Sequence, residues 1–157
     1  MHCENLGNGF HLCYTEGDVT EAPKPYYIMH CISADYALGA GVAKAIHEKF
    51  GTKIQLLMYN ADSFGKWPTC HLTERVINLV TKECYFSKPT YDTLTAALYD
   101  AKLIMLRYSI AKIALPRIGC GLDRLKWDTV KLCLKMVFQD TDIEFLVYDL
   151  PKEVKKA

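Results

Sequence analysis

The sequence lacks a Cys-x-x-Cys pair, a basic start followed by an apolar run, and any stretch near the roughly 20 apolar residues of a membrane span. The first absence removes the short-spaced ligand pattern of structural zinc sites; His30-Cys31 and Cys70-His71 are isolated neighbours. The opening MHCENLGNGF does not read as a secretory leader. The seven cysteines are odd in number and spaced 10, 18, 39, 14, 36 and 13 residues apart, which argues against a secreted disulfide framework. Reduced thiols in an intracellular protein are expected, with cytoplasm and nucleus both open. Net charge is nearly absent: 19 Lys and Arg against 18 Asp and Glu leave +1. Such a balance gives no footprint for sequence-blind DNA binding, although a local cluster can still hold phosphates. No repeat, low-complexity run or Gly/Ser linker divides the 157 residues. One domain is expected, with a core at about residues 11–150, a short N-terminal arm and a fraying basic tail at 152–156. No amphipathic stripe is left over, so a monomer is expected.

What is present is an ordinary globular composition, 50% hydrophobic and 24% charged. A chain of this length removes roughly 70% of its unfolded surface from water. Short apolar runs alternate with helical patterns. HLCYTE (11–16), the continuous run YIMHCI (27–32), residues 75–82, KIALP (112–116) and DIEFLVYDL (142–150) read as strands. CHLTERVINLVTK carries a hairpin-like signal. Val42, Ile46 and Phe50 recur at helical spacing before Gly51, a plausible stop. KIQLLMYN extends that helix after a turn. Pro89 and Thr90 open a second helix with Leu94, Leu98 and Met105 as its stripe. Residues 128–139 form another, with Leu132, Met136 and Val137 facing inward. The alternation predicts an α/β sandwich with helices covering a largely parallel sheet, and a ligand at the carboxyl ends of the strands.

Four features carry chemistry, each with a bland reading beside it. Gly39-Ala40-Gly41 stands between a strand and a helix, where glycines admit a ligand and the helix start favours negative charge. A plain tight turn has the same look. Arg117-Ile118-Gly119-Cys120-Gly121-Leu122-Asp123-Arg124 follows a buried strand and is either an anion loop or a solvated turn. Cys120 lacks an assigned base, so a packed small residue outweighs a nucleophile there. Lys82 ends a strand and is ordinarily a solvated terminus; as a nucleophile it would have to be neutral, which needs burial or a cationic neighbour. Asp18, after Gly17, can accept from an adenine amino group or cap a turn.

Taken together and in order, these features resemble the macrodomain family. The likeness is strongest to the branch described as terminal ADP-ribose protein glycohydrolase or O-acyl-ADP-ribose deacylase. The strings that carry it are Gly17-Asp18, HCIS (30–33), GAG (39–41), VTK (80–82), KPTY (88–91) and PRIGCGLDRLKW (116–127), the last being long and unusual. The resemblance implies a three-layer α/β/α sandwich around a mixed, largely parallel sheet, with ADP-ribose in a cleft at the strand ends. It implies Asp18 as the adenine acceptor with Val19 beside it, and Tyr148 and Leu150 flanking the adenine. Ser33, Gly39, Ala40 and Gly41 would approach the distal ribose. Arg117 and the backbone of Ile118, Gly119, Cys120, Gly121 and Leu122 would wrap the diphosphate. Lys82 and Asp123 match the family's catalytic pair.

One departure is informative. Other branches carry an asparagine-rich motif after the second strand, and here that place reads HCISAD. The resemblance therefore implies hydrolysis by the lysine and aspartate: removal of mono-ADP-ribose from protein glutamate or aspartate esters, and deacylation of O-acyl-ADP-ribose. Neither a cofactor nor a metal is implied. ADP-ribosylated proteins are the implied partners, with no membrane and no nucleic acid. Residues 61–70 match no motif. Three alternatives stay open: a non-catalytic ADP-ribose binder, a phosphatase of ADP-ribose 1''-phosphate, and an enzyme that removes ADP-ribose from nucleic-acid bases.

Overall fold

The computed structural model describes residues 1–151, so the basic tail at 152–156 lies outside the described residues. Among the described residues, the regular elements run β1 (His2–Asn5), β2 (His11–Glu16), β3 (Tyr27–Ser33), α1 (Gly41–Phe50), α2 (Thr52–Tyr59), β4 (Thr69–Thr73), β5 (Val76–Lys82), α3 (Tyr91–Arg107), β6 (Lys112–Leu115), α4 (Trp127–Phe138) and β7 (Glu144–Asp149). The strands form a single sheet in the order β1-β2-β7-β6-β3-β5-β4. The five inner strands are parallel, and β1 and β4 close the edges antiparallel.

Both sheet faces are covered, which is why the inner strands carry nearly continuous apolar runs. On one face Met29, Ile77, Leu79, Ile113 and Leu115 meet α3 and α4. On the other, Ile28, Val76 and Ala114 pack with Ile46 of α1, while Ile32 and Val80 pack with Leu56 of α2. This is the three-layer arrangement that the alternation predicts. No described helix is long and apolar enough to cross a membrane.

The start of α3 shows how local sequence fixes an element. The Thr90 hydroxyl accepts from Thr93 N at 3.1 Å, and Thr93 Oγ1 accepts from Thr90 N at 3.0 Å. Asp92 in the first turn and Arg107 in the last complement the helix dipole. Leu94, Leu98 and Met105 are buried as the stripe predicts, each stabilising the fold by roughly 1.5–3 kcal/mol. Leu98→Ala would cost about 2–5 kcal/mol through its transfer and cavity terms. Further upstream, α1 stops at Gly51, whose φ of 65° suits a residue without Cβ.

Two expectations need correction. In α4 only Val137 of the three expected residues faces inward; Leu132 is 58% exposed and Met136 52% exposed. The buried set is Val130, Cys133, Leu134, Val137 and Phe138, a helical stripe to which positions 132 and 136 do not belong. The N-terminal arm is a strand, and its thiols are not all reduced. Turn bonds from Phe10 N to Gly7 O (3.0 Å) and Leu6 N to Phe10 O (2.9 Å) fold β1 back along β2. Cys3 then lies directly opposite Cys13, and the two form a disulfide. Spacing alone, ten residues across an unrecognised hairpin, did not reveal the pairing. The remaining five cysteines are free.

The parallel strands all point one way. The segments that follow β2, β3, β5 and β6 therefore gather at one side of the sheet, where open α/β sheets bind ligands.

Candidate active site

A cleft of about 620 Å³ opens at this side, a volume suited to a small ligand. Its floor is Cys31, Ile32 and Ser33 at the end of β3. One wall is residues 37–43, running into α1. The opposite wall is Pro116, Arg117, Ile118, Gly119, Gly121, Leu122 and Asp123. Lys82 and Tyr85 complete the lining from the end of β5 and beyond.

Lys82 and Asp123 meet in this cleft. Lys82 Nζ donates to Asp123 Oδ1 at 2.6 Å, and the two side chains are only 12% and 13% exposed. They come from elements 41 residues apart in sequence. A register shift between Ile32 and Ser33 sets Ser33 opposite Lys82 across the β3/β5 pair. The Lys82 carbonyl accepts from Ala34 N at 2.9 Å, which locks the strand end beneath the amine.

The basic groups lining the cleft are Lys82 and Arg117, and each is already paired. An anionic ligand would therefore be held chiefly by backbone N–H groups. Two features provide them. Ala40, the N-cap of α1, is extended and offers no side-chain cap, so the first N–H groups of α1 are left for a ligand beside Gly41, Val42 and Ala43. Gly119, at φ 73°, turns the opposite loop. A Cβ there would stand 2.9 Å from Leu125 Cδ1, so a side chain would be strained by the backbone and would have to displace that methyl.

The Macro domain family profile matches residues 29–134, which span every segment of the cleft. ADP-ribose glycohydrolase OARD1 of Homo sapiens is 38% identical over 143 residues, covering 90% of this chain and 93% of that protein. Among solved structures, the macrodomain of Thermus aquaticus DarG superposes with a TM-score of 0.76 at 20% identity, over 88% of this chain and 97% of that one. The Oceanobacillus iheyensis macrodomain with ADP gives a TM-score of 0.69 at 16% identity, over 95% of this chain and 87% of that one.

This chain belongs to the macrodomain family.

Within the macrodomain, the residues singled out from sequence fall into two groups. Lys82, Ser33, Gly39, Ala40, Gly41, Arg117, Ile118, Gly119, Gly121, Leu122 and Asp123 line the cleft together. Asp18, Val19, Tyr148 and Leu150 sit outside that lining, at the ends of the adjacent parallel strands β2 and β7. Asp18 Oδ1 accepts from Thr20 N at 2.9 Å and Thr20 Oγ1 at 2.8 Å, capping a short 3-10 turn. The capping role is thus realised for one of its oxygens. Cys120 is half-buried and donates its thiol to Ile118 O at 3.3 Å.

Neither Cys31 in the cleft nor Cys120 in the loop beside it is poised as a nucleophile. Burial, with the Asp123 carboxylate adding to it, pushes Cys31 up to about 12. Burial raises Cys120 to about 11 against the opposing pull of Arg117. Both stay protonated at neutral pH, and the thiolate is the reactive form.

Sequence reasoning missed Asp35 and Tyr85. Asp35 is partly buried, which alone would raise its carboxyl; bonds from Ser33 Oγ (2.6 Å), Tyr85 N (3.0 Å) and Ala37 N (3.1 Å) outweigh that and hold it low. One carboxylate thereby ties the loop after β3 to the loop after β5. The available signal was Asp35 just past a strand, where an aspartate commonly accepts from the N–H two residues on, here that of Ala37. Residues 61–70, which match no motif, back this loop from behind. Gly65 N donates to Ala34 O at 2.9 Å, and Phe64 packs edge-on to Tyr36 at 5.6 Å.

Proposed function

We propose that this macrodomain is a hydrolase of ADP-ribose derivatives that acts on esters at C1'' of the distal ribose. Its substrates are ADP-ribose joined to protein glutamate or aspartate, and O-acyl-ADP-ribose. The observation that carries this reading is the 2.6 Å pair of Lys82 and Asp123, nearly enclosed at the inner end of an anion-ready cleft. The likeness to ADP-ribose glycohydrolase OARD1 of Homo sapiens supports the reaction class.

The chemistry follows from the pair. Asp123 accepts a proton from Lys82, and the freed lone pair on Nζ attacks C1''. The C1''–O bond breaks and its electrons leave with the carboxylate. A carboxylate of ordinary pKa about 4.3 departs without a strong acid behind it. Asp123 gives that first proton to solvent and is a carboxylate again. It then takes a proton from water, the hydroxide oxygen bonds C1'', and the C1''–Nζ bond of the lysine–ADP-ribose adduct breaks with its electrons going to nitrogen. The neutral amine recovers its proton from Asp123. The diphosphate lies along the α1 start and the Gly119 turn. Asp18, Val19, Tyr148 and Leu150 receive the adenine beyond the cleft, between the ends of β2 and β7.

The test is release of free ADP-ribose from a glutamate-ADP-ribosylated protein by wild type and by Lys82→Ala. Release by wild type and none by the variant is expected. No release by either, with ADP-ribose bound by both, would make this a binding module instead. Undiminished release by Lys82→Ala would remove the lysine from the mechanism.

A further inference from the structure

The segment KPTY has no part in the proposed chemistry, and none of its residues lines the cleft. It nevertheless touches the catalytic loop twice. Lys88 Nζ donates to the Leu122 carbonyl at 2.6 Å. Tyr91 Oη accepts from Lys126 N at 3.0 Å. Between these fixed points lie Asp123, Arg124 at φ 62°, and Leu125, whose N donates to Gly119 O at 2.7 Å. The scaffold beneath is rigid, because Thr90 caps α3 in the same four residues.

The carbonyl that Lys88 holds belongs to the peptide unit that joins Leu122 to Asp123. In a trans peptide the C=O and the next N–H point in opposite directions. Lys88 grips the carbonyl from outside the cleft. The same bond turns the Asp123 N–H to the other side and fixes the Cα from which the Asp123 carboxylate reaches Lys82. The Leu122 side chain meanwhile reaches over to Gly41, where a Cβ would stand 3.9 Å from Leu122 Cδ1, so the loop spans the cleft mouth.

We propose that Lys88 is a positioning residue for Asp123, acting through the Leu122–Asp123 peptide, with Tyr91 anchoring the far end of the loop. The proposal rests on the reading of Lys82 and Asp123 as the reacting pair. It assigns Lys88 no contact with substrate. Loss of its ammonium lets the peptide rotate, so the carboxylate meets Nζ in the wrong place more often. Binding of ADP-ribose, carried by other N–H groups, changes little.

The experiment compares Lys88→Met, Lys88→Arg and Tyr91→Phe with wild type. It measures kcat and KM on glutamate-ADP-ribosylated protein, Kd for ADP-ribose, and amide exchange over residues 118–126. Lys88→Met is expected to lower kcat about 10- to 100-fold, as small misplacements of reacting groups do. KM and Kd should stay within about threefold, and exchange at Leu125, whose N–H is bonded to Gly119 O, should quicken. Lys88→Arg, which keeps a cationic donor, should restore most of kcat. Tyr91→Phe should quicken exchange at Lys126 and lower kcat less. Unchanged kcat and unchanged exchange in Lys88→Met would overturn the proposal, as would a loss that falls entirely in KM. Lys82→Ala is run alongside: if it retains release, the pair mechanism fails, whereas a dead Lys82→Ala beside an unaltered Lys88→Met overturns Lys88 alone.

Discussion

Arg117 and Asp149 are joined by two parallel hydrogen bonds, Nε to Oδ1 at 2.8 Å and a terminal guanidinium nitrogen to Oδ2 at 3.0 Å. The guanidinium also lies 5.3 Å from the Tyr14 ring centre and 5.5 Å from that of Trp127. Tyr14 in turn bonds Glu4 at 2.8 Å, and the Glu4 carboxylate bonds Lys131 at 2.8 Å. Asp149, first by its bonds and then by its charge, holds the Arg117 guanidinium more firmly protonated than usual. The arginine at the start of the loop after β6 is thus built into the joint between β2, β7 and α4. Arg117 lines the cleft while its charge is paired with Asp149.

Arg117→Met should therefore act on stability more than on binding. The ion pair is 44% and 30% exposed on its two sides, so it and the ring contacts together contribute about 1–2 kcal/mol. A fall of a few degrees in Tm is expected, with the ADP-ribose Kd within about threefold of wild type. Thermal unfolding and calorimetric titration measure both. A Kd about a hundredfold weaker with an unmoved Tm would mean that the guanidinium leaves Asp149 to meet the diphosphate.

The two glycines of the same loop should behave differently. Gly119 has a φ of 73°, and Leu125 stands where its Cβ would go; nothing lies within 4 Å of a Cβ at Gly121. Gly119→Ala should cost about 1–3 kcal/mol and weaken ADP-ribose binding, whereas Gly121→Ala should leave stability within about 0.5 kcal/mol. Denaturant unfolding of the pair settles the comparison. Equal, small effects would mean that Leu125 yields freely and that the turn does not depend on glycine.

Most of the fold is legible from periodicity. The inner strands announce themselves as apolar runs because both of their faces are covered, and α3 announces itself through Thr90, Leu94, Leu98 and Met105. Strand β1 was not legible: HCEN has only four residues and is mostly exposed, so its pairing depends on the turn and on β2. Leu132 and Met136 were misplaced because α4 carries apolar residues on more than its buried stripe. At the site, the glycine loops and Lys82 stood out through residue type and position. Asp35 did not, because its role lies in joining residue 33 to residue 85, a contact across 50 positions. The Lys82–Asp123 contact was likewise invisible to local pattern; only the family resemblance joined them.

The buried polar row beside the core should give the protein an acid-side sensitivity. His30 bonds Asn78 Oδ1 at 2.6 Å, and Asn78 donates to the His71 carbonyl at 3.0 Å. Burial lowers His30 to about 4 despite the opposing Asn78 bond, and burial also lowers His71. The unfolded chain takes up protons near the ordinary value of 6.5, so it binds more protons than the folded state between 6.5 and about 4. Stability should fall as pH drops through that window, by at most about 3 kcal/mol for His30, and then level off for this group. Asp35, held low, adds its own loss only as pH falls below its ordinary 3.8. Urea midpoints across the series should show a shallower slope in His30→Gln between those limits, with His71 supplying the remainder. An unaltered slope in that variant would place the sensitivity elsewhere.

In the proposed reaction the amine and the carboxylate are both engaged in the attack, so carboxylate esters should be preferred over linkages with a poorer leaving group. Besides Lys82 and Asp123, the titratable side chains lining the cleft are Cys31, held at about 12, Tyr85, and Arg117, which is paired with Asp149. In the proposed reaction the pair itself is occupied: the amine attacks, and the carboxylate takes its proton. A departing carboxylate needs no further acid, while a serine alkoxide is far more basic and requires protonation as the bond breaks. A positioned general acid is ordinarily worth about 100- to 10,000-fold. Release from a serine-linked ADP-ribosyl protein should thus be slower than from a glutamate-linked one by about a hundredfold or more, in kcat/KM measured on the same carrier. Asp123→Ala should abolish turnover of both while the ester substrate still reaches the lysine adduct, visible as a mass increment on Lys82. Equal rates on the two linkages would mean that protonated Asp123 or Tyr85 serves the departing alkoxide as an acid, and would set this account of the substrate preference aside.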